Sequence, residues 1–244
     1  MKRFILFLIT TTLTTAASFA QKSDYKINVA DFSELTVVDG VNVDYHCNPD
    51  SAGWVVFSCE PKLASSITFN NKGGRLTIQS DADEEPIKGL PRVHVYSAEL
   101  TKLENSGDSL VRVYANKENC IKNFKARQIG NGSIEVYNIN ATSSYFGITA
   151  GKGCLHVEGI SEKATLSNVS TGPIDASGLK ATQVKCLIFG TGDVDCTPAE
   201  QLRVFGAGSG KVYYHNKPEK IANRSIGVKA YINGEGPRAT KAAK

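Results

Sequence analysis

Gly190-Thr191-Gly192-Asp193-Val194-Asp195-Cys196 decides how the chain is read: a tight small-residue turn runs straight into a short alternating strand. The unit stands upstream as Gly130-Asn131-Gly132-Ser133-Ile134-Glu135-Val136, Gly151-Lys152-Gly153-Cys154-Leu155-His156-Val157 and Ser170-Thr171-Gly172-Pro173-Ile174-Asp175-Ala176. It returns downstream as Gly208-Ser209-Gly210-Lys211-Val212-Tyr213-Tyr214. The second glycine falls at positions 132, 153, 172, 192 and 210, giving spacings of 21, 19, 20 and 18. A degenerate copy, Gly107-Asp108-Ser109-Leu110-Val111-Arg112-Val113, puts Ser109 in that place. A near-constant period of about 20 residues is the mark of a stacked repeat architecture.

Working outward from the turn, apolar residues recur in strips. Two and four residues after the repeat glycine stand Ile134/Val136, Leu155/Val157, Ile174/Ala176, Val194/Cys196 and Val212/Tyr214. Seven after it stand Ile139, Ile160, Leu179 and Ala199. Eight and six before it stand Phe124/Ala126, Tyr145/Gly147, Ala164/Leu166, Val184/Cys186 and Leu202/Val204, and three before it stand Ile129, Ala150, Val169, Phe189 and Ala207. Spacing within a strip is two, the period of a strand. The pattern predicts an all-β solenoid with coils of about 20 residues. Alternate side chains fill each coil, and equivalent positions stack about 4.8 Å apart on the next. Glycine suits the corners because it tolerates positive φ. An antiparallel sandwich of short strands competes, but it does not require equivalent residues at a fixed period.

The segment from Tyr25 to Leu103 also reads as β structure, without a clear period. Strand candidates are Leu35–Val38, Val41–Tyr45, Trp54–Cys59, Arg75–Gln79 and Arg92–Tyr96. Asp81–Glu85 reads as a solvated acidic loop. The expected organisation is a leader over 1–20 and one β domain over 21–234, less regular over 21–104 and clearly repeated over 105–234. A frayed tail over 235–244 completes it.

The leader reading rests on Met1-Lys2-Arg3, the apolar run Phe4–Ile9 and the small residues of Ala17-Ser18-Phe19-Ala20 before Gln21. With no later stretch of transmembrane length and no Cys at the cleavage point, the chain is expected to be exported, in the periplasm, at the cell surface or outside the cell. Without Lys2 and Arg3, 26 basic residues face 24 acidic ones, too even a balance to argue for nucleic acid. Hydrophobic residues make up 41% and charged residues 21%, enough apolar content to bury a core. Six cysteines do not form a disulfide framework; Cys186 and Cys196 fall on core positions, and a bridge between Cys47 and Cys59 is left open.

The chain resembles the putative auto-transporter adhesin head domain of the GIN type, exported proteins common in Bacteroidetes. The resemblance is carried by Phe32-Ser33-Glu34-Leu35-Thr36-Val37, Gly73-Gly74-Arg75-Leu76-Thr77-Ile78, Leu100-Thr101-Lys102-Leu103-Glu104-Asn105-Ser106-Gly107 and the serial turns. The ending Gly208 to Pro218 fits as well. It implies a right-handed parallel β-helix-like fold at the cell envelope, and brings no catalytic residues to carry over. Ser109 and Ser170 depart from the pattern, since glycine is expected there.

No catalytic, cofactor or metal-binding constellation stands out. The four histidines, His46, His94, His156 and His215, are scattered, and His156 points outward between Leu155 and Val157. Gly206-Ala207-Gly208-Ser209-Gly210 lacks the lysine and the strand-to-helix setting of a phosphate loop. A calcium β-roll would need aspartate at matching places, but Asp193 is matched by Ser133, Cys154, Pro173 and Lys211. The nearest approach to an enzyme is Asp175 and Asp195, in one register on neighbouring coils about one strand spacing apart, near the separation of a retaining glycosidase pair. Glu135, His156 and Tyr213 would extend that outward ladder. Tyr137, Tyr213 and Tyr231 offer flat groups for sugar rings or protein partners. From Lys211 onward, eight Lys/Arg face two Glu, a basic end suited to anionic glycans or headgroups.

The expectation is an exported, non-enzymatic envelope protein that acts as an adhesin or scaffold toward a polysaccharide or an envelope protein, without a cofactor. The alternative is a polysaccharide-cleaving enzyme using Asp175 and Asp195. Self-association through the solenoid ends is a third possibility.

Overall fold

The computed structural model describes residues 22–81 and 87–232, so the leader reading, the C-terminal tail and all but Asp81 of the acidic loop lie outside the described residues. The chain enters through β1 (Ser23–Asn28) and forms a first parallel coil from β2 (Glu34–Val38) and β3 (Val43–Cys47). β4 (Trp54–Cys59) and β5 (Ile67–Lys72) follow, then a second coil of β6 (Arg75–Ser80) and β7 (Val93–Ser97). β8 (Lys102–Ser106) with β9 (Leu110–Tyr114) makes a third. From there the coils follow one another through β10 (Ile121–Ile129), β11 (Ser133–Ala150), β12 (Cys154–Asn168), β13 (Ile174–Ile188) and β14 (Val194–Ala207). The last coil elements are β15 (Lys211–Tyr214), β16 (Lys220–Ile226) and β17 (Lys229–Ile232).

Each coil presents one strand before the glycine turn and one after it. On the face after the turn, Ile174 pairs in parallel with Val194 and Val194 with Val212. The expected stack of matching aliphatics is therefore present. Ile134, Leu155, Val136 and Val157 continue it, and all are buried. On the face before the turn, Ala126, Phe146, Leu166, Cys186 and Val204 stack in that order, so side chains of different size fill one inner column.

The turn glycines are required for a different reason than the sequence suggests. Positive φ occurs at Gly130 and Gly151, but not at Gly132, Gly153, Gly172, Gly192 or Gly210. A Cβ on any of those five would collide with a backbone carbonyl oxygen of the coil beneath: Ser109 under Gly132, Gly153 under Gly172, Gly172 under Gly192. The constraint is close approach between stacked corners, set by the ladder spacing. Ser109 and Ser170 belong to a polar pin inside the turn. The buried Asn105 amide donates to the Ser109 carbonyl at 2.9 Å and to Gln128 Oε1 at 2.9 Å, while Ser109 Oγ meets Asn105 Oδ1 at 2.7 Å. Three coils on, Asn168 Nδ2 donates to the Gly172 carbonyl at 2.8 Å, and its Oδ1 accepts from the Ser170 amide at 3.1 Å.

Three expected core strips need correction. Val169 and Phe189, three residues before the repeat glycine, point outward and are 46% and 56% exposed; alternation carries straight into the turn, so Asn168 and Ile188 continue the inward series of Ala164/Leu166 and Val184/Cys186. Tyr145 also faces out. The extra residue of the 21-residue spacing is absorbed as a bulge at Thr149, which moves Phe146 into the core. At the far corner, Ile139 and Leu179 are buried, but Ile160 and Ala199 are exposed. Register shifts there place Ser161 and Pro198 in the inner column with Ala141 and Ala181.

The N-terminal portion is less regular because its spatial order is not its chain order. β2 lies between β6 and β8, and β3 between β7 and β9, all in parallel. β4 and β5 then run antiparallel on β7 and β6, and β1 antiparallel on β4. All six cysteines are free thiols, so Cys47 and Cys59 are not bridged; Cys186 and Cys196 are buried, as their core register requires.

Candidate functional site

The face after the turn carries a ladder of titratable and aromatic side chains. Its outer column runs His94, Asp44, Arg112, Glu135, His156, Asp175, Asp195, Tyr213, Tyr231, each residue paired in register with the next. Strand alternation turns these side chains away from the core, and parallel in-register stacking puts one above another. Asp175 and Asp195 are direct neighbours, as their repeat positions predict.

Most of this charge is neutralised within the ladder. Arg92 Nη1 donates to Asp44 at 2.7 Å, and Arg112 Nε to Glu135 at 2.8 Å. Tyr137 donates its phenol proton to the same Glu135 at 3.1 Å. His156 bridges Glu158 (Nε2 to Oε1, 3.0 Å) and Asp175 (Nδ1 to Oδ2, 3.3 Å), and His215 Nε2 lies 2.6 Å from Asp195 Oδ1. Burial pushes the Asp175 carboxyl up, but hydrogen bonds from the Ser177 hydroxyl and amide and the charge of His156 outweigh it, so the net shift is downward. A retaining glycosidase pair needs one carboxyl held protonated and the other ionised; the downward shift suits Asp175 to the ionised role and not to the acid's.

Next to that column runs a stack of rings that sequence reading missed. His46 lies between Tyr96 and Tyr114 with ring centroids 5.1 Å away on each side, Tyr114 stacks on Tyr137 at 5.6 Å, and Tyr137 meets His156 at 5.9 Å. The five rings come from five separate strands, so no local motif announces them. Because the faces are used on one another, the stack turns its edges outward: phenol hydroxyls and imidazole nitrogens, of which the Tyr137 hydroxyl and both His156 nitrogens are engaged by carboxylates. Of the tyrosines expected to offer flat faces, Tyr137 is in this stack, and Tyr213 is only 2% exposed, stacked on Tyr231 at 5.7 Å.

The face before the turn differs. At its N-terminal end Glu34 is paired with Arg75 and Lys102, which hold its carboxyl below the usual range despite the opposing effect of burial. Over the later coils the outward residues are cationic, apolar or neutral polar. Lys185 sits over the Phe205 ring at 5.5 Å, and Lys125 over Tyr145 at 5.3 Å. A separate cleft of about 390 Å³ opens beside β3 and β9, lined by Tyr45, Cys47, Leu100, Asn116, Cys120 and Phe124 among others. Among the described residues, no group of three or more His, Cys, Asp or Glu is placed to hold a metal ion, and no helix is long and apolar enough to cross a membrane.

Comparison with known proteins fits this architecture. The family profile described as "Putative auto-transporter adhesin, head GIN domain" matches residues 31–218. A crystal structure of a putative adhesin from Bacteroides fragilis NCTC 9343 is 18% identical with a TM-score of 0.75, covering 86% of this chain and 96% of that one. A putative lipid binding protein from Parabacteroides distasonis ATCC 8503 is 18% identical with a TM-score of 0.68, covering 87% and 98%. A putative adhesin from the same strain is 20% identical with a TM-score of 0.66, at the same coverage. At these identities the likeness shows a shared fold. No curated protein matches the chain.

Proposed function

Because the chain belongs to the family of GIN head domains described as putative auto-transporter adhesins, we propose that it is an exported, non-enzymatic protein of the cell envelope that binds a polysaccharide or an envelope protein. One observation carries the reading. The column that would have to supply catalytic carboxylates is an ordered ladder whose acids are held by neighbours on the same face: Glu135 by Arg112 and Tyr137, Asp175 by Ser177 and His156, Asp195 by His215. Such a ladder suits recognition better than proton transfer. Its donors and acceptors are fixed in advance, so little side-chain entropy is lost when a partner engages them. The ring stack beside it aligns hydroxyl and imidazole edges along the solenoid axis, a repeat of hydrogen-bonding groups that suits an extended polymer of polyols.

The leader-like start and the absence of a membrane-crossing helix among the described residues support export. A glycan array together with a pull-down from envelope extract tests the proposal. Replacing Tyr96, Tyr114 and Tyr137 together by Phe keeps the stack and removes its hydroxyls. Loss of binding at unchanged stability supports recognition along the ladder, whereas no partner in either assay removes the basis for an adhesin. The register of Asp175 with Asp195 supports glycan cleavage as the rival. Release of reducing sugar that disappears in Asp195→Asn would establish the rival.

A further inference from the structure

The turn-proximal edge of the later coils leaves large apolar side chains in water. Val169, Phe189 and Ile226 are 46%, 56% and 79% exposed. They occupy one ladder position: the Val169 and Phe189 amides donate to the Ile148 and Asn168 carbonyls of the coil beneath, and Ala207 pairs with Ile226. Immediately inside this line, Leu187 pairs with Phe205, and both are only partly covered. Isolated exposed apolar residues are ordinary on a protein surface; a contiguous file of them marks an interaction site.

The file is bordered by cations. Lys185 pairs with Arg203 in the neighbouring outward column, and Phe205 with Arg224. The remaining outward residues of these columns on β12, β13, β14 and β16 are Thr165, Ser167, Ala207 and Ala222, so no acid interrupts the patch. The face after the turn neutralises its charges internally, as do the early coils of the face before it; these later columns do not. Of the ion pairs among the described residues, none involves Lys185, Arg203 or Arg224.

We propose that this edge docks on an anionic phospholipid bilayer, with Val169, Phe189 and Ile226 entering the headgroup boundary and Lys185, Arg203 and Arg224 meeting the phosphates. Charge complementarity selects an anionic partner. The apolar file selects a lipid surface over a soluble polyanion, because a hydrated polyanion does not remove Phe189 and Ile226 from water. Geometry favours a plane. Three coil steps separate Val169 from Ile226, about 14 Å at the strand spacing, and one rigid ladder holds them in line so that they contact a flat surface together. The site is separate from the ring ladder, and its test does not depend on the adhesin reading.

The test is co-sedimentation of the purified protein with vesicles made of equal parts phosphatidylglycerol and phosphatidylcholine, against vesicles of phosphatidylcholine alone. Binding to the anionic vesicles is expected, weakened by salt. The triple variant Lys185→Gln/Arg203→Gln/Arg224→Gln is expected to lose about fivefold per cation, roughly a hundredfold in all. Phe189→Ser/Ile226→Ser is expected to lose about tenfold per side chain. Both variants change exposed positions, and circular dichroism checks that each is folded. The proposal is overturned by absence of binding to anionic vesicles, or by binding that survives both sets of changes in folded protein. It is equally overturned if dextran sulfate in solution binds as tightly as the vesicles and Phe189→Ser/Ile226→Ser leaves both unchanged, since the edge is then a polyanion site.

Discussion

Replacing Gly172 by alanine tests the contact on which the stacking of corners depends. Gly172 lies outside the positive-φ region, so alanine costs nothing in backbone conformation there. Its Cβ would be driven into the Gly153 carbonyl oxygen, with the Lys152 carbonyl 2.9 Å away. Non-bonded heavy atoms settle near 3.5 Å, so the two corners must part by more than about 1 Å. That movement strains the Leu155 amide bond to the Pro173 carbonyl (3.2 Å) and the Asn168 bond to the Gly172 carbonyl (2.8 Å). At about 1 kcal/mol per bond, with the lost packing around them, the cost is about 3 kcal/mol. For a domain of this size the expected fall in Tm is about 6–12 °C, read by far-UV circular dichroism with urea unfolding alongside. Gly172→Asn is the discriminating comparison. Asparagine tolerates left-handed backbone better than alanine does, so a conformational requirement would make it the milder change. If Gly172→Asn proves milder than Gly172→Ala, or if alanine costs less than about 1 kcal/mol, the close-approach argument is wrong.

Asn168→Ala removes the pin from the turn and strands the Gly172 carbonyl and the Ser170 amide in a buried site; a loss of about 2–3 kcal/mol is expected in urea titration. Tyr114→Leu breaks the ring stack on both sides, at His46 and at Tyr137, and should cost about 1–3 kcal/mol, while Tyr114→Phe should stay close to wild type. The Asp175 carboxyl has a folded pKa below its unfolded value, so its stabilising contribution is fully present above the ordinary carboxylate pKa of about 3.9 and disappears as pH falls through the lower folded value. Stability curves of wild type and Asp175→Asn should therefore run parallel above that pH and converge below it; a gap that persists in strong acid would disprove the linkage.

What could be read from the sequence follows from how local each feature is. Ile174, Val194 and Val212 announce their stacking because each coil returns after about 20 residues, so the period is visible along the chain. Leu35, Leu76 and Leu103 are just as equivalent in space. Their spacing is uneven because β4 and β5 intervene and the β6–β7 coil packs on the far side of β2–β3. The ring stack was hidden for the same reason: His46 contacts Tyr96 and Tyr114 across insertions of unequal length. Val169 and Phe189 misled differently. They stand three residues after the buried Leu166 and Cys186, an odd step, so regular alternation turns them outward, and their apolar character alone suggested the core. The Asp175–Asp195 register was legible, whereas the partners that hold the two acids came from Ser177, His156 and His215 and depended on side-chain geometry.

The placement of β2–β3 between two segments made after it gives the molecule a polarity in time. Glu34 meets Arg75 across 41 residues and Lys102 across 68, so the seed layer gains both neighbours late and at a high loop-closure cost. Every layer beyond Ile121 rests on one that precedes it by about 20 residues and needs nothing downstream. Removing windings one by one from the C-terminal side should leave a shorter spring still wound, whereas deleting residues 34–47 takes out the foundation on which both sides were laid.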